Sequence, residues 1–366
     1  DAVGNESDLY GGQSLKPFET AISDSANVTR YAFMSAMADC ACASMLLGSI
    51  SLHASPAKLT FLIILYNIVA IGGQALFSAS ADRVKNKHTG VRMSVLILIM
   101  GFVFPSKISI TAKAVLMAVG NAGFHAYAVS SLLSRSRFKA AGIGFFTAGS
   151  MIGLGLAKYA QFFGYFAAAF LMIAATPSDK SEGMPEAVGN RSAAAPKTVL
   201  APLFVILLAV CAYAGTFSFM SLDFSWCRGR KALLLFALAV AAGRFLGGFL
   251  FDRINIALPL VSLCGGTALL ILNPDSKLFT LGAVVLLSMT VPVIVSMMFR
   301  FMPACPGLCW SIASASAYLG YSSIKLFPDI AAKNSALLPI VSGVTVLVIS
   351  ASAAALYFRT KKETAK

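Results

Sequence analysis

Two stretches of the sequence decide the fold: residues 243–253 read GRFLGGFLFDR, and residues 73–83 read GQALFSASADR. Each stretch closes a long apolar run and ends on Asp-Arg. A small residue stands four positions before the aspartate in both, Gly248 in one and Ser78 in the other. Because small residues let two helix backbones approach closely, both stretches predict the end of a helix that packs tightly inside a membrane.

The composition of the whole chain agrees with a membrane setting. The 366 residues are 58% hydrophobic and only 12% charged, whereas a soluble globular protein carries about 25% charged residues. The apolar residues form continuous runs of roughly 20 residues, the length that a helix needs to cross the hydrocarbon core. A membrane β-barrel would instead show alternating segments of about ten residues. The sequence therefore predicts an all-α, polytopic membrane protein.

The net charge of +14 does not indicate nucleic acid. The basic residues lie in short loops, as the positive-inside rule expects, and no basic face with stacking aromatic residues stands out. Counting these residues places both termini in the cytoplasm, so we expect a multi-pass protein of the plasma (inner) membrane. A cluster on the opposite side, Arg228, Arg230 and Lys231, departs from this bias.

The apolar runs divide the chain into two sets of six. We expect a cytoplasmic segment at 1–30, six-helix bundles at 31–175 and 199–358, a cytoplasmic linker at 176–198 that is rich in Ser, Pro, Gly and charge, and a cytoplasmic tail at 359–366. Twelve transmembrane spans are predicted near 31–52, 59–81, 92–106, 112–133, 140–159, 161–175, 199–222, 232–252, 256–273, 277–299, 306–327 and 335–358.

An internal repeat relates the two sets of spans. Residues 124–135 (FHAYAVSSLLSR) end the fourth span, and residues 289–300 (MTVPVIVSMMFR) end the tenth at a constant offset. The same offset carries Gly142 onto Gly307 in the fifth and eleventh spans. The two Asp-Arg endings close the second and eighth spans. These matches predict a duplicated six-helix unit in which both copies enter the membrane from the same side.

The six-plus-six plan and the two Asp-Arg endings resemble the major facilitator superfamily, which has a signature in the loops after its second and eighth helices. The resemblance covers essentially the whole chain and implies two pseudo-symmetric bundles that alternate access to a central site. The first copy departs from the signature at Ser78, where the family prefers Gly, and in its degenerate basic tail at 84–87. The alternative is an ordinary helix end with snorkelling charges. The candidate gate network comprises Asp82, Arg83, Arg244, Asp252 and Arg253.

Two finer features resemble the fosmidomycin-resistance-type branch of bacterial efflux proteins. One is Asp39 inside the first span, and the other is the segment GNAGFH that ends at His125 in the fourth span. The branch usually has a His shortly before the acid, whereas residues 33–36 here read FMSA. In the superfamily the first and fourth helices line the cavity, so the resemblance implies that Asp39 and His125 could face one another.

Asp39 and His125 are candidates on physical grounds as well, because an ionisable group inside an apolar span is costly unless it is paired or wetted. Two interpretations stay open: proton coupling or substrate contact, and a structural Asp–His contact that fixes helix packing. Asn67 and Asn121 either touch substrate or form interhelical hydrogen bonds, as does Gln74. Arg244 either binds an anionic group or joins the gate network.

Glycines on several spans predict close helix packing, namely Gly149, Gly153, Gly247 and Gly248. The fifth span is glycine-rich, as in the drug/proton antiporters of the superfamily, but it lacks their central Pro. This departure weakens the comparison with antiporters.

The sequence as a whole predicts a secondary active transporter of a small organic molecule, with proton-coupled efflux as the leading hypothesis. The alternatives are proton-coupled nutrient uptake, facilitated diffusion, and a lipid-handling or receptor-like protein of the same fold. We expect no enzyme activity, no catalytic residues, no metal and no cofactor, because no paired carboxylates, nucleophile elbow or phosphate-binding loop is evident. The expected partners are the substrate, protons and the bilayer, and the expected state is a monomer.

Overall fold

The computed structural model of the chain describes residues 16–103, 109–135, 139–175, 224–254, 257–273 and 275–326. All regular structure within these ranges is helical. The first two helices each contain a wider turn. Helix α1 runs Lys16–Ser44, passes through a π-helical stretch at Met45–Ile50 and ends with Ser51–His53.

Helix α2 has the same three-part build. It runs Pro56–Asn67, continues through a π-helical stretch at Ile68–Gly72 and ends with Gly73–Ala81. Pro56 suits the start of this helix, because a proline in the first turn lacks only an N–H that would have no helical partner. The π-helical stretches are of interest because such turns are frequent at functional sites.

Eight further helices complete the described part of the chain. They are α3 (Lys87–Val103), α4 (Ile110–Arg135), α5 (Lys139–Tyr159), α6 (Phe163–Ala175), α7 (Arg230–Ile254), α8 (Ala257–Leu272), α9 (Lys277–Ser288 and Thr290–Phe301) and α10 (Pro306–Leu326).

Within the described residues, six helical segments are long and apolar enough to cross a membrane: Ala26–His53, Pro56–Ala81, Ile110–Ser134, Lys139–Tyr159, Arg230–Arg253 and Lys277–Phe299. Phe163–Ala175 and Val261–Leu272 are shorter apolar helices. The ten helices described here follow ten of the predicted spans, while the spans predicted at 199–222 and 335–358, the linker at 176–198 and the tail at 359–366 lie outside the described residues.

The first helix begins earlier than the apolar run suggests. It starts at Lys16, whereas the first span was predicted from residue 31. Apolarity marks only the part of a helix that can lie in hydrocarbon, so a polar N-terminal extension of the same helix escapes that criterion. Arg30 lies where the two parts meet, and its Nε and Nη2 donate to the carbonyl oxygen of Ala174 at 3.1 and 2.8 Å. The cation thereby satisfies a free carbonyl in the last turn of α6.

Large apolar side chains cover the outer faces of the bundle. Leu52 is 80% exposed, Leu76 79% and Leu278 77%. A soluble monomer rarely exposes many such side chains together. Their exposure is the expected arrangement for helices whose outer faces contact lipid.

Glycines set the closest approaches between helices of the first half. A Cβ atom added at Gly149 would lie 2.1 Å from the carbonyl oxygen of Ala32, and one at Gly153 would lie 2.0 Å from that of Ala36. Only a residue without a side chain fits there, so α5 contacts the backbone of α1 directly. This contact holds α1 at a fixed depth in the bundle.

Similar contacts join the two halves and the helices of the second half. A Cβ at Gly248 of α7 would lie 2.3 Å from the carbonyl oxygen of Ala140 in α5, and one at Gly247 would lie 2.1 Å from that of Met289 in α9. The two neighbouring glycines therefore face different helices. Helix α7 is packed between α5 of the first half and α9 of the second.

The packing at Gly153 gives a direct test. Gly153→Ala places a methyl group against the Ala36 carbonyl, so we expect the free energy of unfolding to fall by about 1–3 kcal/mol, as overpacking usually does. Gly72→Ala is the matched control, because no atom of another helix in the described part of the chain lies within 4 Å of its added Cβ. Thermal unfolding of the purified protein in detergent measures both. Equal stability of the two variants would contradict the direct α1–α5 backbone contact.

Candidate functional site

Asp39 and His125 form a buried pair between α1 and α4. The Oδ1 atom of Asp39 lies 3.3 Å from Nε2 of His125, and both residues are buried. An isolated carboxylate in such surroundings would be very costly, and an adjacent hydrogen-bonding imidazole lowers that cost. We call these two residues the Asp39–His125 pair.

Asn121 and Tyr66 extend the pair into a polar cluster. Asn121, one turn before His125 on α4, donates from Nδ2 to Oδ1 of Asp39 at 3.3 Å and to the hydroxyl oxygen of Tyr66 at 2.9 Å. Tyr66 is on α2 and is itself buried. The cluster therefore joins three helices of the first half through one carboxylate oxygen, one amide and one phenol.

The structure brings Asp39, Asn121 and His125 together but leaves Asn67 apart. Asn67 is half-buried, and its side chain forms no hydrogen bond with any residue in the described part of the chain. Its neighbour Tyr66 faces the cluster instead. The sequence pattern did not indicate Tyr66, since a tyrosine in an apolar span is ordinary. Only the rotation of α2 about its axis directs Tyr66 toward Asn121.

Aromatic rings enclose the imidazole of His125. The rings of Phe124 and Phe146 each lie 5.3 Å from it, centroid to centroid, in edge-on geometry. The indole of Trp310 lies at 6.2 Å and is nearly parallel, with an interplanar angle of 12°. Trp310 belongs to α10, so the second half of the chain contributes one wall of this site. Trp310 was not predicted as a site residue from the sequence, although the chain has only two tryptophans.

Several buried polar atoms around the pair have no hydrogen-bond partner among the described residues. They are Oδ1 of Asn121, Nδ1 of His125 and Nε1 of Trp310. Buried polar groups are normally satisfied, and each exception calls for an explanation. Donors and acceptors of this kind, set among aromatic rings, are suited to a ligand with an apolar body and a few polar groups.

Each Asp-Arg ending places its aspartate against the N-terminal end of a helix of the other half. Asp82 accepts hydrogen bonds from the backbone N–H of Gly307 at 2.7 Å and of Leu308 at 3.1 Å, at the start of α10. Asp252 accepts one from the N–H of Ala141 at 2.8 Å, at the start of α5. Helix N-termini carry unpaired N–H groups and a partial positive charge, so a carboxylate is the natural partner. We call this end of the bundle the Asp-Arg face.

Asp82 has a third hydrogen-bond donor. Besides the two backbone donors, the hydroxyl of Ser130 donates to its Oδ1 at 3.2 Å. Burial raises the pKa of this carboxyl above its usual value, and the backbone donors of Gly307 and Leu308 oppose that rise only in part. Desolvation therefore outweighs what the charge gains from the helix N-terminus.

The three arginines of the predicted gate network have different surroundings. Arg83 and Arg253 are exposed, and the guanidinium of Arg253 lies 3.9 Å from the ring centroid of Phe249 on its own helix. Arg244 is buried, and its Nη1 donates to the carbonyl oxygen of Thr147 in α5 at 3.1 Å. Arg244 thus connects α7 to α5 about two turns away from Asp252.

Comparisons with known proteins agree with this architecture. No protein-family model matches the chain, and no curated protein matches it in sequence. Among solved structures, the crystal structure of FucP, a major facilitator superfamily (MFS) transporter in the outward conformation, matches with a TM-score of 0.66 over 91% of this chain and 98% of that one. The sequence identity is 11%, so the likeness establishes the fold alone.

The apolar helices, their exposed apolar faces and this likeness define an integral membrane protein. Its fold is that of the major facilitator superfamily transporters.

Proposed function

We propose that the protein is a secondary active transporter that moves a small organic molecule by alternating access and is coupled to protons. The observation that carries this proposal is the Asp39–His125 pair, held at 3.3 Å and buried where Trp310 of the second half meets the first half. The fold supports the transport part, since FucP is an MFS transporter. In proteins built from such repeats, two bundles rock around a site near the bilayer midplane.

The chemistry of the pair suits a proton carrier. An ionised Asp39 stabilises a protonated His125, and loss of that proton leaves one uncompensated carboxylate beside the amide of Asn121. The net charge of the pair thus changes by one within an apolar surrounding. Because the cost of a buried charge depends on access to water, the two conformations of a transporter would bind the proton with different affinities. That difference is all that coupling requires.

The Asp-Arg face supports an assignment of the conformational state. Contacts from Asp82 to α10 and from Asp252 to α5 join the two halves at this face. We assign the face to the cytoplasm, as the basic loops at 83–92 and 135–139 and the positive-inside rule favour. Both termini then lie in the cytoplasm, and the state is one in which the cytoplasmic entrance is closed.

The lining of the site supports a substrate that is apolar or weakly charged. The rings of Phe124, Phe146 and Trp310 pack around the imidazole of His125 and give the site apolar walls. Efflux in exchange for protons is the direction we propose, and proton-coupled uptake is the alternative. We further propose two six-helix halves at 31–175 and 199–358 that work as a monomer.

Transport in liposomes tests the proposal. Purified protein is reconstituted with an internal pH dye, and gradients of drugs, sugars and organic acids are imposed in turn. We expect at least one compound to drive proton movement, and Asp39→Asn and His125→Ala each to reduce it about tenfold or more, since each removes one member of the pair. The direction of proton flow relative to the compound separates efflux by exchange from uptake by co-transport.

Matched controls are available within the chain. Asp275→Asn and His53→Ala replace an exposed residue of the same type and should leave proton movement unchanged. Substrate flux without proton movement, equal in wild type and in both pair variants, would remove proton coupling. Such a result would indicate a uniporter or another coupling ion, with the pair serving helix packing.

The acids of the Asp-Arg face generate a second prediction. Loss of a hydrogen bond to a charged group typically costs about 1.5–3 kcal/mol, so Asp82→Ala and Asp252→Ala should shift the conformational equilibrium and slow transport by roughly ten-fold or more. Asp82→Asn should be milder than Asp82→Ala, because it keeps an acceptor oxygen and removes the charge whose burial raises the pKa of Asp82.

Initial rates of substrate flux in liposomes measure these effects. Size-exclusion chromatography of each variant confirms that insertion and folding are intact, and Asp275→Ala at an exposed site is the control. Wild-type rates for both alanine variants would contradict a gate function for the Asp-Arg face.

A further inference from the structure

The first two turns of α10 contact both the Asp-Arg face and the Asp39–His125 pair. The N–H groups of Gly307 and Leu308 donate to Asp82. Three residues after Gly307, the indole of Trp310 lies parallel to the imidazole of His125. The next residue, Ser311, donates to the hydroxyl of Ser78 at 2.5 Å. Residues 307–311 therefore touch the gate and the proposed proton site at once.

Trp310 also packs against a second ring of the first half. The ring of Phe146 in α5 lies 6.0 Å from the indole and is perpendicular to it, with an interplanar angle of 87°. The Trp310 side chain is buried, and its Nε1 has no hydrogen-bond partner among the described residues. A buried indole usually finds a partner for its N–H. Trp310 instead contacts its described neighbours through its ring, which packs against His125 and Phe146.

We propose that Trp310 is a positioning residue that links the protonation of His125 to closure of the Asp-Arg face, an inference that rests on the proton coupling proposed above. A protonated imidazole facing an indole gains a cation–π attraction that the neutral ring lacks. The attraction holds α10 against α4, and the same turns of α10 supply the N–H groups that bind Asp82. Proton binding at the pair therefore favours the state in which the Asp-Arg face is closed.

The other groups around His125 do not substitute for this contact. Helix α1 presents Asp39 and, near Tyr66, the thiol of Cys42, while α2 presents Tyr66 itself. Helix α4 adds the amide of Asn121, and α5 presents the ring of Phe146. Among these, Asp39 favours the protonated imidazole, but it lies in the first half together with His125. Trp310 is on the opposite half, so its attraction to the imidazolium changes when the halves separate.

The experiment follows the conformational equilibrium of the full chain as the pH changes. Spin labels are attached to Lys58→Cys and Lys231→Cys, two exposed positions on opposite halves, in a background without native cysteines that retains transport. Electron–electron distance measurements in liposomes at high and low pH give the ratio of the two states. We expect acidification to increase the state with the Asp-Arg face closed in wild type.

Three tryptophan variants separate the linking role from space filling. Trp310→Leu should reduce the pH-driven change in the ratio by about three- to thirty-fold, the range that corresponds to a cation–π contact. Trp310→Phe should give an intermediate change, because its ring attracts cations more weakly, and it serves if the Leu variant does not fold. Trp226→Leu is the matched control, since Trp226 donates from Nε1 to Thr280 in α9, away from the pair.

The possible outcomes distinguish failure of the Trp310 role from failure of proton coupling. A wild-type shift that persists in full in Trp310→Leu and Trp310→Phe overturns the role of Trp310 and leaves proton coupling intact. Absence of any shift in wild type overturns proton coupling and the role of Trp310 with it. A shift that is lost in Trp310→Leu, reduced in Trp310→Phe and retained in Trp226→Leu supports the inference.

Discussion

The free-energy cost of placing a charge in hydrocarbon constrains how the helices are arranged around Asp39. It requires Asp39 to have partners, and the structure supplies Nε2 of His125 and the amide of Asn121. The glycine contacts between α5 and α1 fix the depth of α1 and therefore the position of the carboxylate. In the proposed function the same cost couples the pair to protons, since one proton changes its net charge by one. Packing and proposed function thus originate in a single electrostatic requirement.

The two Asp-Arg endings make equivalent contacts between the first and second halves of the chain. Asp82, at the end of the second helix of the first half, binds the N-terminus of α10, and Asp252, at the equivalent point of the second half, binds the N-terminus of α5. The two contacts are counterparts under the repeat that the sequence indicated. The two halves differ in what they contribute to the Asp39–His125 pair. The polar cluster around Asp39 belongs to the first half, whereas the second half contributes the ring of Trp310.

Much of the fold could be predicted because a membrane imposes a fixed length on apolar helices. The helical bounds at Lys277–Phe299 and Lys139–Tyr159 follow the predicted spans closely. Asp39 and His125 could be singled out since ionisable residues are rare in such spans. Tyr66 could not, because the rotation of α2 and not its composition decides that Tyr66 faces Asn121. Trp310 could not either, since its contact with His125 joins residues 185 positions apart.

The most direct test of the central claim compares two kinds of transport by Asp39→Asn, with a substrate that liposome screening identifies. Net flux driven by a pH gradient requires the pair to bind and release a proton, whereas exchange of labelled for unlabelled substrate at equal pH does not. We expect Asp39→Asn to lose gradient-driven flux and to retain exchange at close to the wild-type rate. Equal loss of both kinds of transport, or retention of both, would contradict a proton-coupling role for the Asp39–His125 pair.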